Sequence, residues 1–462
     1  MSQPPSQHAS PGTSRSGEDA RLTPARMTGY AFGDVTVNTV LVSLNMFYVT
    51  YFLIQVAGLR PELAGLVQLI GRAVDAVTDP AMGRLSDLCR WKWGRRRPFF
   101  VLGSVPFGVT FALLWAIPTD SQMGMFAYYT ALYVLLSVSM TVLSIPYLAL
   151  LPELALGYDA RTRLNMFRNV GSIIGIAVAI AIRQVATSLG GGSEGYALAG
   201  LVYGAIITLP WFVVYATTWE RQEFQARKTG MGLRQGIRLL LQHRNFRKLT
   251  GLYICSRISM DLVGAMLILY FTFVVGRGED FEWGMGLFLG AVLLSLPIWN
   301  RIATRFDKSS LFIIGALWWM VSFVPLYFAH EDWPRWLVFV FPPLAGVGFA
   351  VVDLMVWSML GDVVDEDDLA TGERREGIYN GAFMFIRKLG GSLAVAIALA
   401  ILGAVGMEQQ SEQRPAVVEA IRSITSLAPA IFLAFSVWLA WGYPLTRTRH
   451  AQIRAELESR VD

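Results

Sequence analysis

Apolar residues in this chain fall into long runs separated by short polar segments. The runs lie at roughly 28–58, 61–83, 98–118, 123–152, 166–189 and 196–218, then at 249–276, 283–304, 310–329, 334–361, 377–406 and 427–444. A helix needs roughly 20 apolar residues to cross the hydrocarbon layer of a bilayer. Inside that layer the backbone must satisfy its own polar groups, so the runs predict helices and not open strands. The pattern therefore predicts an all-α integral membrane protein with twelve transmembrane helices. A polar, basic stretch at 219–248, with Arg234, Arg238, Arg244, Arg247 and Lys248, separates the sixth run from the seventh. Its Leu239-Leu240-Leu241 suits an amphipathic segment lying on the membrane. Residues 1–26 are rich in Ser, Pro, Gln and Gly and lack the apolar core of a signal peptide. They read as a disordered cytoplasmic tail. The expected organisation is this tail, a six-helix bundle at 27–218, a cytoplasmic central loop at 219–248, a second six-helix bundle at 249–446 and a cytoplasmic tail at 447–462.

The two halves resemble each other. The second run ends in Gly83-Arg84-Leu85-Ser86-Asp87 before a basic loop, and the eighth ends in Asn300-Arg301-Ile302-Ala303-Thr304-Arg305-Phe306-Asp307. Pro152-Glu153 follows the fourth run, and Gly361-Asp362 with Asp365 to Asp368 follows the tenth. Six helices per half give parallel repeats, an arrangement that implies a solute site near the bilayer midplane. Loops between runs also differ in charge. One side holds Arg90 to Arg97 and Arg301, Arg305 and Lys308; the other holds only scattered Arg60, Arg277, Arg335, Arg414 and Arg422. Basic loops stay cytoplasmic, which predicts both termini in the cytoplasm and a multi-pass location in the inner (plasma) membrane.

Composition narrows the function. The chain of 462 residues is 54% hydrophobic and 16% charged, where a soluble domain carries about 25% charge. The net charge of +5 is accounted for by the basic loops and does not call for nucleic acid. Cys89 and Cys255 suggest no disulfide framework. His8, His243, His330 and His450 all lie outside the apolar runs, which argues against a buried histidine metal site. No phosphate-binding Walker pattern occurs, and Gly284, Gly286 and Gly290 lie in an apolar helix with no preceding strand. No nucleophile–base constellation suggests an enzyme. The expected partners are the lipid bilayer, a small-molecule solute and a coupling cation, Na+ or H+, with no other cofactor and with the chain acting as a monomer.

The informative residues are charges inside the runs, which cost a few kcal/mol or more at the bilayer centre and so should face a cavity or a partner. The first run carries Asp34 and Asn38, one turn apart. The second carries Arg72, Asp75 and Asp79, whose spacings of three and four put them on one helix face. One arginine against two acids leaves a surplus carboxylate, suited to a small monovalent cation. A hard cation prefers oxygen ligands, and Thr141 and Ser144 in the fourth run offer hydroxyls. Pro80 and Pro146 each free a carbonyl nearby. Arg168, Asp353 and the Arg387-Lys388 pair are further buried charges, while Arg257 and Asp261 have the spacing of a private ion pair. Gly171 and Gly175 form a GxxxG packing motif.

At this point the chain resembles the glycoside–pentoside–hexuronide:cation symporters, a branch of the major facilitator superfamily. The resemblance spans about residues 28 to 445 and is carried by Arg72-Ala73-Val74-Asp75-Ala76-Val77-Thr78-Asp79-Pro80-Ala81-Met82-Gly83, by Gly361-Asp362-Val363-Val364-Asp365 and by Thr371-Gly372-Glu373-Arg374-Arg375-Glu376-Gly377. It implies the major facilitator fold, twelve helices in two six-helix halves. It implies a coupling-cation site at Asp75, Asp79 and Thr141, solute contacts at Asp34 and Arg168, and polar support near the cavity from Arg72 and Lys388. Ser144 replaces a sugar-binding acid of the family pattern; Leu148 and Asp353 replace two tryptophans. Ser144, Asp353 and Lys388 are added as candidate solute contacts and Asn38 as support. These departures point to a charged solute or charged glycoside over a plain galactoside. The same branch is similar to vertebrate sodium-coupled lysophospholipid symporters, so a zwitterionic, lipid-like solute is the alternative. A passive channel or scramblase is a further reading, one that does not need paired acids.

Overall fold

A computed structural model describes residues 22–89, 91–155, 158–220, 242–372, 376–409 and 412–459. The tail through residue 21, the Leu239–Leu241 segment and Glu373–Arg375 lie outside the described residues. The described chain is helical throughout, apart from an isolated bridge between Trp91 and Gly94. Its helices are α1 (Pro24–Val42), α2 (Pro61–Leu88), α3 (Pro98–Leu114), α4 (Gln122–Leu154), α5 (Tyr158–Ile180), α6 (Ile182–Ser188) and α7 (Gly192–Thr217). There follow α8 (Arg244–Phe273), α9 (Phe281–Ala303), α10 (Lys308–Phe328), α11 (Arg335–Thr371), α12 (Glu376–Ala404), α13 (Pro415–Ala440) and α14 (Arg447–Glu458).

Local chemistry explains several boundaries. The Thr23 hydroxyl accepts from the Arg26 amide, and Pro24 occupies the first turn of α1, where its missing N–H costs nothing. Pro98 and Pro415 open α3 and α13 in the same way. Gly372, at φ +72°, ends α11 in the left-handed conformation that a side chain disfavours. The expected fifth run is divided into α5 and α6. The first continues beyond α1 as a wider π-helix, Ser43–Val56. Helices α2 and α4 run on through Pro80 and Pro146.

Among the described residues, ten helical stretches are long and apolar enough to cross a membrane. The two other expected spans are α2 and α3. Helix α3 has 17 residues, just short of a full crossing. Helix α2 has 28 residues, about 42 Å at 1.5 Å per residue, so length is not its deficit. It falls short in hydropathy because it carries Arg72, Asp75 and Asp79. The span least like a membrane helix is the one with the candidate chemistry.

The helices group into two units by contact. The first holds 22–43, 77–119 and 127–220 of the described residues; the second holds 44–76, 120–126 and 242–459. This division falls within the first two spans. In the first unit α1 packs on α5 and α7, and α3 packs on α7. The approach of α5 to α1 is set by glycine. A Cβ on Gly171 would lie 2.5 Å from the Ala31 carbonyl oxygen, and one on Gly175 would lie 2.3 Å from that of Val35. The GxxxG pair thus brings two backbones into contact. In the second unit α8 packs on α12 and α13, and α11 on α9 and α10. Tyr253, Phe312, Trp319, Val351 and Phe383 lie in the core of that unit.

Candidate functional site

In the first unit, α1 and α5 bring Asp34 and Arg168 together. The Arg168 guanidinium donates from Nε to Asp34 Oδ2 at 2.7 Å and from Nη2 to Oδ1 at 3.0 Å. Such a planar two-pronged pair is the strong form of an ion pair. Tyr147 of α4 donates its hydroxyl to Asp34 Oδ2, and its ring lies beneath the Arg168 guanidinium, 5.5 Å from centroid to carbon. Tyr147 stacks on Tyr30, whose hydroxyl donates to the Tyr147 carbonyl at 2.6 Å. Gly33 gives the Tyr147 ring its place, since a Cβ there would collide with it. Asn38 donates to the Asp34 carbonyl at 2.8 Å and to Ser172 at 3.1 Å, joining the two helices next to the pair. In the same unit Thr141 donates its hydroxyl to Asp79 Oδ1 at 2.7 Å. Ser144, one turn beyond Thr141, is half-buried, and Leu148 is exposed.

In the second unit, Asp75 is 4% exposed and lies between two cations. Arg72 Nη1 is 3.3 Å from Asp75 Oδ2, and Lys388 Nζ of α12 is 3.7 Å from the same oxygen. Asn45, in the π-helical segment, accepts from Gln68 at 3.1 Å and from Arg72 at 3.5 Å. The charge tally made along α2 alone therefore changes. Lys388 adds a second positive charge to the acids, and it stands by Asp75 and not by Asp353. Asp353 of α11 instead lines a small cavity whose wall also holds Ser256 and Arg257 of α8 among mostly apolar side chains. Arg257 also closes an ion pair with Asp261 at 2.8 Å, as the i,i+4 spacing suggests.

The two units repeat one construction. In the first unit Arg95 and Arg96, just before α3, reach Glu153 near the end of α4 at 2.7 and 2.6 Å, and Arg96 reaches Asp87 at 2.8 Å. Three consecutive amides, of Arg95, Arg96 and Arg97, donate to the Glu220 carboxylate at 2.6 to 2.8 Å. In the second unit Lys308, at the start of α10, reaches Asp362 of α11 at 2.6 Å. His450 of α14 lies 3.3 Å from Asp362 and 3.2 Å from Asp365. A base before the third helix of each half thus meets an acid late in the fourth.

Neither Tyr147 nor Asn45 stands out in the sequence analysis as a site residue. Asn45 carried a signal: with Asp34 and Asn38 it continues a polar stripe at i, i+4 and i+11. Tyr147 carried none, because one tyrosine in an apolar run is usually core.

Residues 29–447 match the family model described as MFS/sugar transport protein. The chain belongs to that family. This MFS protein is a transporter and not an enzyme, and its all-helical major facilitator fold agrees with the sequence expectation. It is 26% identical to the glucuronide carrier protein homolog of Escherichia coli, over 94% of this chain and 95% of that one. It is 24% identical to the sodium-dependent lysophosphatidylcholine symporter 1-A of Danio rerio, over 94% of this chain and 86% of the relative. The solved nucleoside transporter NupG shares the fold at 12% identity with a TM-score of 0.64, over 91% of this chain and 98% of that one.

Proposed function

We propose that this MFS protein is a secondary active symporter. It couples downhill entry of Na+ or H+ to uptake of a sugar, glycoside or related small organic solute by alternating access. The observation that carries this reading is Asp75, a carboxylate buried in a membrane span and held by two cations, each beyond 3 Å. A buried acid that costs so much to keep, yet is not closed into a tight pair, is free to exchange partners. Asp79 and the Thr141 hydroxyl contribute the oxygen ligands that a hard cation prefers. Asp34, Arg168, Ser144, Asp353 and Lys388 are the proposed solute contacts, with Arg72 and Asn38 in support. Asp34 and Arg168 serve a solute by exchanging their mutual hydrogen bonds for hydrogen bonds to it. Coupling requires cation and solute each to favour binding of the other by the same free energy.

The test is concentrative uptake of labelled sugars, uronates and glycosides in energised vesicles. Asp75→Asn and Asp79→Asn each abolish accumulation while the protein stays folded, and accumulation collapses when the ion gradient is dissipated. Unchanged accumulation in both variants removes these acids as coupling groups.

The proposed orientation puts both termini in the cytoplasm of a cell with this protein in its inner membrane. In a Cys255→Ser background, Cys89 then reacts with an impermeant thiol reagent in inverted vesicles and not in intact cells. Labelling in intact cells reverses the topology.

A further inference from the structure

The Arg72 guanidinium divides its two ends between different acceptors. Nη1 lies 3.3 Å from Asp75 Oδ2, and Nη2 lies 3.5 Å from Asn45 Oδ1. All three residues belong to the second unit. A guanidinium fork fits the two oxygens of one carboxylate, as Arg168 does on Asp34. Here Asn45 takes one end of the fork. It sits in the π-helical segment Ser43–Val56, a rare backbone form that often marks functional sites.

The neighbours of Asn45 set its orientation. Its Oδ1 meets two donors, Arg72 Nη2 and, at 3.1 Å, Gln68 Nε2. Turned over, the amide would bring its own N–H groups against both. Gln68 must therefore donate, and this leaves its Oε1 buried with no hydrogen-bond donor among the described residues. Gln68 is 4% exposed, and an unmet buried acceptor is costly to keep. Gln68, Arg72 and Asp75 share one face of α2 at i, i+4 and i+7. We infer that Asn45 is a positioning residue for the cation site: it holds one end of Arg72 and so keeps the guanidinium from closing both ends on Asp75. Gln68 holds Asn45 in turn. This rests on the symporter reading and deepens it, by naming what keeps its central acid loosely paired. The other charges around Asp75 are Lys388 of α12 and Asp79 one turn further along α2, and both stay in place in the test.

Dicyclohexylcarbodiimide reads the hold on Asp75, because it modifies a carboxyl only when the carboxyl carries a proton. A guanidinium closed on both oxygens keeps that proton off. Modification of Asp75 at one fixed pH, in Na+-free buffer, is followed by peptide mass spectrometry in the purified full chain in nanodiscs. Asn45→Leu, similar in size but without an acceptor, slows the reaction roughly fivefold. Gln68→Leu slows it less. Asn45→Asp grips Arg72 more firmly and speeds it. With Arg72→Gln already present, Asn45→Leu has no further effect, as a residue acting through Arg72 requires. A merely structural loss would persist in that background and would not change sign between Leu and Asp. An Asp75 that does not react in wild type, rates in both Asn45 variants equal to wild type, or a full Asn45→Leu effect in the Arg72→Gln background overturns the inference. No solute or ion gradient is present, so such a failure stays separate from failure of the symporter reading, which the accumulation of the Asp75 and Asp79 variants decides.

Discussion

Asp34 and Asp75 are both buried carboxylates on long helices of the bundle, and each faces positive charge. They differ in how tightly they are held. Asp34 receives two hydrogen bonds from one guanidinium, at 2.7 and 3.0 Å, and a third from Tyr147. Asp75 has Arg72 at 3.3 Å and Lys388 at 3.7 Å, two single contacts from different helices. A carboxylate has about four acceptor positions. Those of Asp34 are largely taken in one geometry, whereas Asp75 is neutralised without being saturated. The comparison teaches that buried charge alone does not mark a coupling site. Without solute the saturated pair holds α1 to α5, beside a glycine contact that already brings the two backbones together, and a solute that displaces it must supply equivalent hydrogen bonds. In the proposed mechanism it is the loose one that trades a protein cation for a small ion.

The largest effect that tests this contrast is on stability. Arg168→Ala leaves Asp34 buried beside Tyr147 alone. Breaking a buried pair from one side costs about 3 kcal/mol or more, so the purified variant unfolds at clearly lower temperature. Adding Asp34→Asn recovers part of the loss, because the uncompensated charge is gone. If Arg168→Ala melts like wild type, the tight pair is not a structural lock and the contrast collapses. A smaller effect sharpens the other side. Lys388→Met removes one of the two cations at Asp75 and so makes the site more attractive to a coupling ion. The cation concentration for half-maximal uptake falls roughly fivefold, equivalent to about 1 kcal/mol. A value that is unchanged or higher shows that Lys388 does not compete with the ion.

How much of this was legible in the sequence depended on distance along the chain. The face shared by Arg72, Asp75 and Asp79 follows from helical periodicity. So does the pairing of Arg257 with Asp261, and the contact of Gly171 and Gly175 with a neighbour follows from their small size. The matching of Arg95 and Arg96 with Glu153, and of Lys308 with Asp362, was foreshadowed because the same elements recur in both halves. Lys388 at Asp75 was not legible, since α12 and α2 are joined only by tertiary packing and no local spacing encodes their meeting.

One detail of the basic loop bears on how this protein tolerates genetic drift. The Glu220 carboxylate is gripped by three successive backbone amides and by none of the arginine side chains that carry them. Any residue but proline supplies such an amide. Arg95, Arg96 and Arg97 are thus interchangeable as far as this clasp is concerned, however much Arg95 and Arg96 matter to Glu153. The single acid opposite them is not. Selection acting on the clasp reads one letter of the sequence, Glu220, and is blind to the other three. A lineage can rewrite the basic loop to suit a new membrane surface while the end of α7 stays anchored where it is.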